Sequence, residues 1–174
     1  ILCIAGNLSE ERKGGPILKQ ILQSSQMENV QFLLVGQDAH DIFDSHGVRH
    51  LGFVSDDITL RIAYHAADLL LHPAPVDNLP NTVAESMSCG TPVLAFNTGG
   101  LPEIVNSYSG ICLNTEKNWG SSSILVRRKN DPMGVRCFEG SSSSSDANSG
   151  VLTFIVLNLG IIKKVPLEPT RLDQ

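Results

Sequence analysis

The 174-residue sequence predicts an α/β fold, a doubly wound parallel sheet with helices on both faces. Three observations carry that expectation. Apolar strand-like runs alternate with helix-like segments from Ile1 to about Lys117. The runs are continuously apolar, as in strands covered on both faces. The connections that follow them hold the unusual polar, glycine and proline residues, on the edge where such sheets bind ligands.

The elements follow in order. "ILCIA" (Ile1 to Ala5) reads as the first strand. "GPILKQILQSS" reads as a helix, with Ile17, Leu18, Ile21 and Leu22 on one face and Pro16 suited to a first turn. "VQFLLVG" (Val30 to Gly36) is the second strand and "VRHLGFV" (Val48 to Val54) the third. "SDDITLRIAYHAA" has a Ser/Asp helix start and an apolar row of Ile58, Ile62 and Ala66 at four-residue spacing. "DLLLH" is the fourth strand, "TVAESMS" a short helix and "PVLAF" the fifth strand. "LPEIV" opens another helix, and "GICL" (Gly110 to Leu113) is a sixth strand. The loops at Gly6 to Gly15, Gly36 to His40, Val54 to Asp57, His72 to Thr82 and Asn97 to Gly100 then share the carboxyl edge.

After Lys117 the pattern changes. A Ser-rich stretch with the tract "SSSSS" reads as linker, and "VLTFIVLNLGIIKKV" resumes as one apolar, strand-like segment. The expected organisation is a ligand-binding domain at 1–117 and an atypical low-complexity tail at 118–174, of the kind a frameshift or a misread intron produces.

Composition excludes several classes. Hydrophobic residues make up 41% and charged residues 18%, enough for an ordinary core. A net charge of -5 argues weakly against nucleic acid as the main partner, while leaving room for a local basic patch that holds a phosphate. Cys3, Cys89, Cys112 and Cys137 lack metal or disulfide spacing and read as reduced, buried thiols. His40, His46, His50, His65 and His72 lack metal-ligand spacing too and read as surface or strand-end residues, so no metal is expected. The longest apolar run, Val151 to Ile162, is too short to span a bilayer. A cytoplasmic protein is expected, with peripheral contact at a membrane surface open to it. No G-x-S-x-G elbow, Walker loop or G-x-G-x-x-G motif is present.

The densest signal is "HPAPVDNLPNTVAESMSCGTPVLAFNTGG", His72 to Gly100. "TVAE" fits a capping box in which Thr82 caps the helix and Glu85 returns to the cap amide. It equally fits a diphosphate facing the amides of Asn81, Thr82 and Val83, with Glu85 accepting from a ribose diol and Asp77 from sugar hydroxyls. "GNLSEERKGG" offers Arg12 and Lys13 to a pyrophosphate, and Gly14 and Gly15 to a close backbone approach; a solvated turn is the plain alternative. "NTGG" with Gly99 and Gly100 serves as a tight turn or admits a substrate to the main chain.

Together these pieces resemble the donor-binding half of GT-B glycosyltransferases, the glycosyl transferases group 1 (family 4). The resemblance runs from Ile1 to about Leu113, through "ILCIAGNLSEERKGGPILKQIL", "QFLLVG", "VRHLGFVSDDITLRIAYHAADLLLHPA" and, most specifically, "DNLPNTVAESMSCGTPVLAFNTGGLPEIV". The family's two acids, with seven residues between them, correspond to Asp77 and Glu85. The resemblance implies Asp77 at the donor sugar, Glu85 on the nucleotide ribose and Lys13 on the phosphates, with Asp77 and Lys13 the catalytic pair. It places Arg12, Asn78, Leu79, Asn81, Thr82, Val83, Gly99 and Gly100 around the donor. Where the family usually carries an Arg after the first strand, Asn7 stands here, and Arg12 is the candidate to replace it. The implied reaction moves a sugar from a UDP-, GDP- or ADP-sugar to a glycan, lipid or other acceptor, with retention and without a metal or cofactor. The family's N-terminal, acceptor-binding domain is absent from the sequence, so this chain is expected to carry the donor site only.

Overall fold

The computed structural model describes residues 1–23, 30–37 and 47–114, together with the main chain of 122–125, 136–139 and 157–158. Within 1–114 the strands are β1 (Leu2–Asn7), β2 (Phe32–Gln37), β3 (Val48–His50), β4 (Leu70–His72), β5 (Val93–Phe96) and β6 (Gly110–Leu113). The helices are α1 (Gly15–Leu22), α2 (Asp57–Ala66), α3 (Asn81–Ser88) and the short α4 (Leu101–Ile104). Every pairing in the sheet is parallel, and the strand order is β3-β2-β1-β4-β5-β6. The chain winds outward from β1 to β3, returns to lay β4 on the other side of β1, then winds outward again. β1 and β4 therefore flank the point where the winding reverses, and the crevice beyond their carboxyl ends is where such sheets take ligands.

Alternating side chains feed two cores. Cys3, Leu34, Leu69, Leu71, Leu94 and Phe96 pack on one face with Ile17, Leu18 and Ile21 of α1. Leu2, Val35, Leu70, Val93 and Ala95 pack on the other with Ala63 and Tyr64 of α2, Val83 of α3 and Leu101 of α4. The period of two that sends neighbours to opposite faces, with both faces covered, explains why these strands read as unbroken apolar runs.

Two local expectations are corrected. The third strand ends at His50 rather than Val54, because Gly52 takes a left-handed φ of 73° and turns the chain. The row Ile58, Ile62 and Ala66 is not the buried face of α2: Ile58 and Ile62 are 75% and 62% exposed. The buried face is Leu60, Ala63, Tyr64 and Ala67, which also follows helical spacing and brings a large ring against the sheet.

Beyond the parallel sheet, β7 (Ser122–Leu125) pairs antiparallel with β8 (Arg136–Glu139) and with β9 (Leu157–Asn158). β9 falls inside the apolar run expected to be strand-like. The five-Ser tract, His40 and His46 lie outside the described residues.

Candidate functional site

A cavity of about 240 Å³ opens where β1 and β4 end, lined by Gly6 and Leu8 after β1, Lys13 in the following turn, His72 and Pro73 at the end of β4, and Pro80, Asn81 and Thr82 at the start of α3, among others. Four separate segments meet there for reasons visible in the backbone. Gly14 has φ 82°, and a side-chain carbon on it would collide with the Pro73 carbonyl. The first loop therefore lies directly on the end of β4, which delivers Lys13 to the β4–α3 loop. There its Nζ donates to Asp77 Oδ2 at 2.9 Å. The two side chains are 25% and 12% exposed, so this pair is far better shielded than an ordinary surface contact.

Gly99 and Gly100 do related work. Gly99 has φ 55°, and a side-chain carbon there would strike the Asp77 carbonyl, while the Gly100 N–H donates to the Asn78 carbonyl at 2.7 Å. Both glycines brace the loop that carries Asp77; neither lines the cavity. Of the two readings of "NTGG", the tight turn is the one visible in the backbone.

The amino end of α3 departs from the capping box. Pro80 precedes the first helical residue, Asn81, and no side chain caps the helix. Thr82 is already inside, and Glu85 turns away: its Oε2 accepts from Tyr64 Oη at 2.8 Å. The Val83 N–H donates to the Pro80 carbonyl at 3.1 Å and the Val83 side chain is wholly buried. The N–H groups of Asn81 and Thr82 are the helix's unfilled donors at the cavity.

Arg12 stands apart from these residues. Its side chain is 59% exposed and pairs with Glu10 at 2.9 Å, outside the cavity lining. Asn7 does not carry charge in place of the family's arginine; its Oδ1 holds the Ser9 N–H and Oγ in a tight turn. Among the described residues, Lys13 is thus the one cation lining the cavity. Asn78 and Leu79 are exposed on the loop beside Asp77.

Two residues that the sequence did not single out belong to the region. His72 is 5% exposed and lines the cavity. Its Nε2 is buried without a hydrogen-bond partner; the approach to Asp77 Oδ2, at 3.5 Å, is too long to serve as one. Burial pulls its pKa down to about 4, with Lys13 pulling the same way and Asp77 opposing, so the ring is neutral at neutral pH. The position of His72 at the end of a central strand was the available signal for its burial. Tyr64, buried on α2, was signalled by the Leu60, Ala63, Tyr64, Ala67 spacing.

Asp77 stays ionised. Burial is the largest single influence and pushes its pKa up, but the Lys13 hydrogen bond and charge, with smaller help from His72 and the Asn78 N–H, bring it below the ordinary carboxylate value. Cys3, also at the cavity, is inert: burial raises its thiol to about 12. Cys3, Cys89 and Cys112 are all unpaired thiols. A shielded cation, two unfilled amides and a fixed carboxylate, gathered at the reversal point of a parallel sheet, suit an anionic ligand with hydroxyls nearby.

The sequence profile of glycosyl transferases group 1 matches residues 1–124. The chain belongs to that family. Among curated relatives of this glycosyl transferase domain, an uncharacterized glycosyltransferase of Methanocaldococcus jannaschii is 28% identical over 139 residues, covering 72% of this chain and 35% of the relative. O-antigen chain mannosyltransferase B of Escherichia coli is 38% identical over 84 residues, 48% of this chain and 22% of its own. The chain thus spans about a third or less of these relatives' lengths. Among solved structures, the C-terminal domain of a glycosyl transferase group 1 family protein from Francisella tularensis aligns with a TM-score of 0.52 at 18% identity, over 66% of this chain and 67% of that one. Anabaena HepE, solved in complex with UDP, aligns with a TM-score of 0.51 at 25% identity, over 66% of this chain and 35% of its own. The six-stranded parallel sheet with its helices is the GT-B, Rossmann-like domain of these proteins. Among the described residues, no helix is long and apolar enough to cross a membrane.

Proposed function

We propose that this domain binds a nucleoside-diphosphate sugar and that it is the donor-binding part of a retaining glycosyltransferase. The observation that carries the reading is the cavity at the β1–β4 reversal, lined by Lys13 and by Asn81 and Thr82 at the start of α3. Lys13 Nζ has three hydrogens, so it holds Asp77 with one and a phosphate with the others. The diphosphate lies across these donors, whose fixed positive ends stabilise the charge that develops as it leaves. Asp77 accepts from hydroxyls of the donor sugar. Glu85, one turn further along α3, keeps an oxygen free of Tyr64 for the ribose diol.

Relatives support the donor class. Besides the UDP complex of HepE, a GDP-mannose-dependent mannosyltransferase of Mycobacterium tuberculosis is 36% identical over 61 residues, 35% of this chain and 16% of its own. UDP-, GDP- and ADP-sugars are the donors to try, with a glycan, lipid or other acceptor held by a further domain. Neither a metal nor a cofactor takes part in this reading. A module that holds the sugar nucleotide without transferring it is the second reading, favoured by the single cation of the cavity lining.

Calorimetric titration of UDP, GDP and ADP, each beside its nucleoside, tests the reading. At least one diphosphate is expected to bind, and Lys13→Ala to weaken it by about tenfold or more while leaving the nucleoside unchanged, as loss of a charge-assisted contact does. Equal loss for both would remove Lys13 from the phosphates.

A further inference from the structure

We infer that His72 is a donor-site residue whose Nε2 hydrogen-bonds the diphosphate from the floor of the cavity, beside Lys13. The inference rests on the nucleotide-sugar reading above and deepens it by naming a contact that the sequence did not identify.

The geometry is unusual for a structural histidine. The side chain of His72 ends β4, and Pro73 and the first loop fold over that end of the strand. Only 5% of the residue is exposed, yet it lines the same cavity as Lys13, Asn81 and Thr82. Buried polar atoms are almost always bonded, and one left unpaired costs about 1–3 kcal/mol. Nε2 is buried and unpaired, and the nearest acceptor, Asp77 Oδ2, stands at 3.5 Å. That oxygen is already engaged by Lys13, at 2.9 Å. An anion with several oxygens, bound by the cavity's other donors, would bring an acceptor to Nε2. A neutral imidazole suits this place: carrying Nε2–H, it adds a hydrogen bond without a second buried cation beside Lys13.

Three proteins test it: the full chain, His72→Leu and His72→Gln. Leu fills the space without a polar atom, whereas the Gln side chain returns an N–H close to where Nε2 stood. UDP, GDP and ADP are titrated into each, with uridine, guanosine and adenosine as controls. His72→Leu is expected to keep or raise the melting temperature, since it removes an unpaired buried atom, and to weaken the bound diphosphate by about tenfold or more with the nucleoside unchanged. His72→Gln is expected to recover part of that loss. In the unaltered chain, the 15N signal of His72 Nε2 is expected to shift when the diphosphate is added, a readout that needs no variant to fold.

Equal affinity for the diphosphate in His72→Leu and the unaltered chain, or an unmoved Nε2 signal at saturation, overturns the inference and leaves the nucleotide-sugar reading standing. A fall in melting temperature with parallel losses for nucleoside and diphosphate also overturns it, because His72 would then be structural. If the unaltered chain binds none of the three diphosphates, the underlying reading fails and the inference falls with it.

Discussion

At the scale of single residues, the site is a contest between burial and charge. His72 is held neutral by burial, its pKa lowered from 6.5 to about 4. The unfolded chain therefore takes up a proton below pH 6.5 that the folded chain refuses until about pH 4. Stability rises with pH across that window, and the free domain should lose on the order of 3 kcal/mol at this residue on going from pH 6.5 to 4. Asp77 acts at lower pH with a lowered pKa: its contribution is present above the ordinary carboxylate value and is lost as pH falls through its own. Urea unfolding of the unaltered chain and His72→Leu between pH 7 and 4 checks the first effect; parallel curves would show that His72 does not titrate as a buried group. Glu85 offers a second test. Glu85→Gln keeps a partner for Tyr64 but removes the anion, so the melting temperature should barely move while sugar-nucleotide affinity falls by about 1.5–3 kcal/mol. Unchanged affinity by calorimetry would take Glu85 off the ribose.

At the scale of elements, the sequence was most legible where periodicity had one solution and least where it had two. β4, β5 and β6 were readable from unbroken apolar runs, because strands covered on both faces have no polar positions to confuse them. In α2, two rows satisfied helical spacing. The choice of Leu60, Ala63, Tyr64 and Ala67 depended on the sheet beneath, which local pattern does not contain. Ile58→Lys and Ile62→Lys should each change unfolding free energy by less than about 0.5 kcal/mol, whereas Tyr64→Ala should cost about 3–5 kcal/mol, as deleting a buried ring does. Chemical denaturation ranks them, and a large loss from either lysine would reverse the assignment of faces. At the start of α3 the local pattern left two readings open for a similar reason. "TVAE" satisfies a local motif, but Tyr64, 21 residues away in sequence, claims Glu85 instead. The glycines of the loops were recognised as close-approach positions, while what approaches them is protein rather than ligand. Gly99→Ala, which needs a left-handed φ and meets the Asp77 carbonyl, should cost at least about 1 kcal/mol and weaken the diphosphate by displacing Asp77. Full retention of both would separate Gly99 from the site.

At the scale of the whole molecule, strand order converts a list of residues into a site. Lys13, His72, Asp77 and Thr82 span some 70 positions of sequence, and only the reversal of winding between β1 and β4 brings their segments together. The alternation of elements foretold that edge, and the family resemblance named Lys13, Asp77 and Glu85 as the residues to test there. For Arg12 the local pattern did not show the pairing with Glu10, two residues before it in sequence. The account as a whole rests on a diphosphate at the start of α3. A crystal of this chain soaked with the sugar nucleotide it binds most tightly measures that directly. Phosphate oxygens should stand within hydrogen-bond distance of the Asn81 or Thr82 N–H and of Lys13 Nζ. Density for the nucleotide elsewhere on the sheet edge, with Lys13 still paired to Asp77 alone, would contradict it.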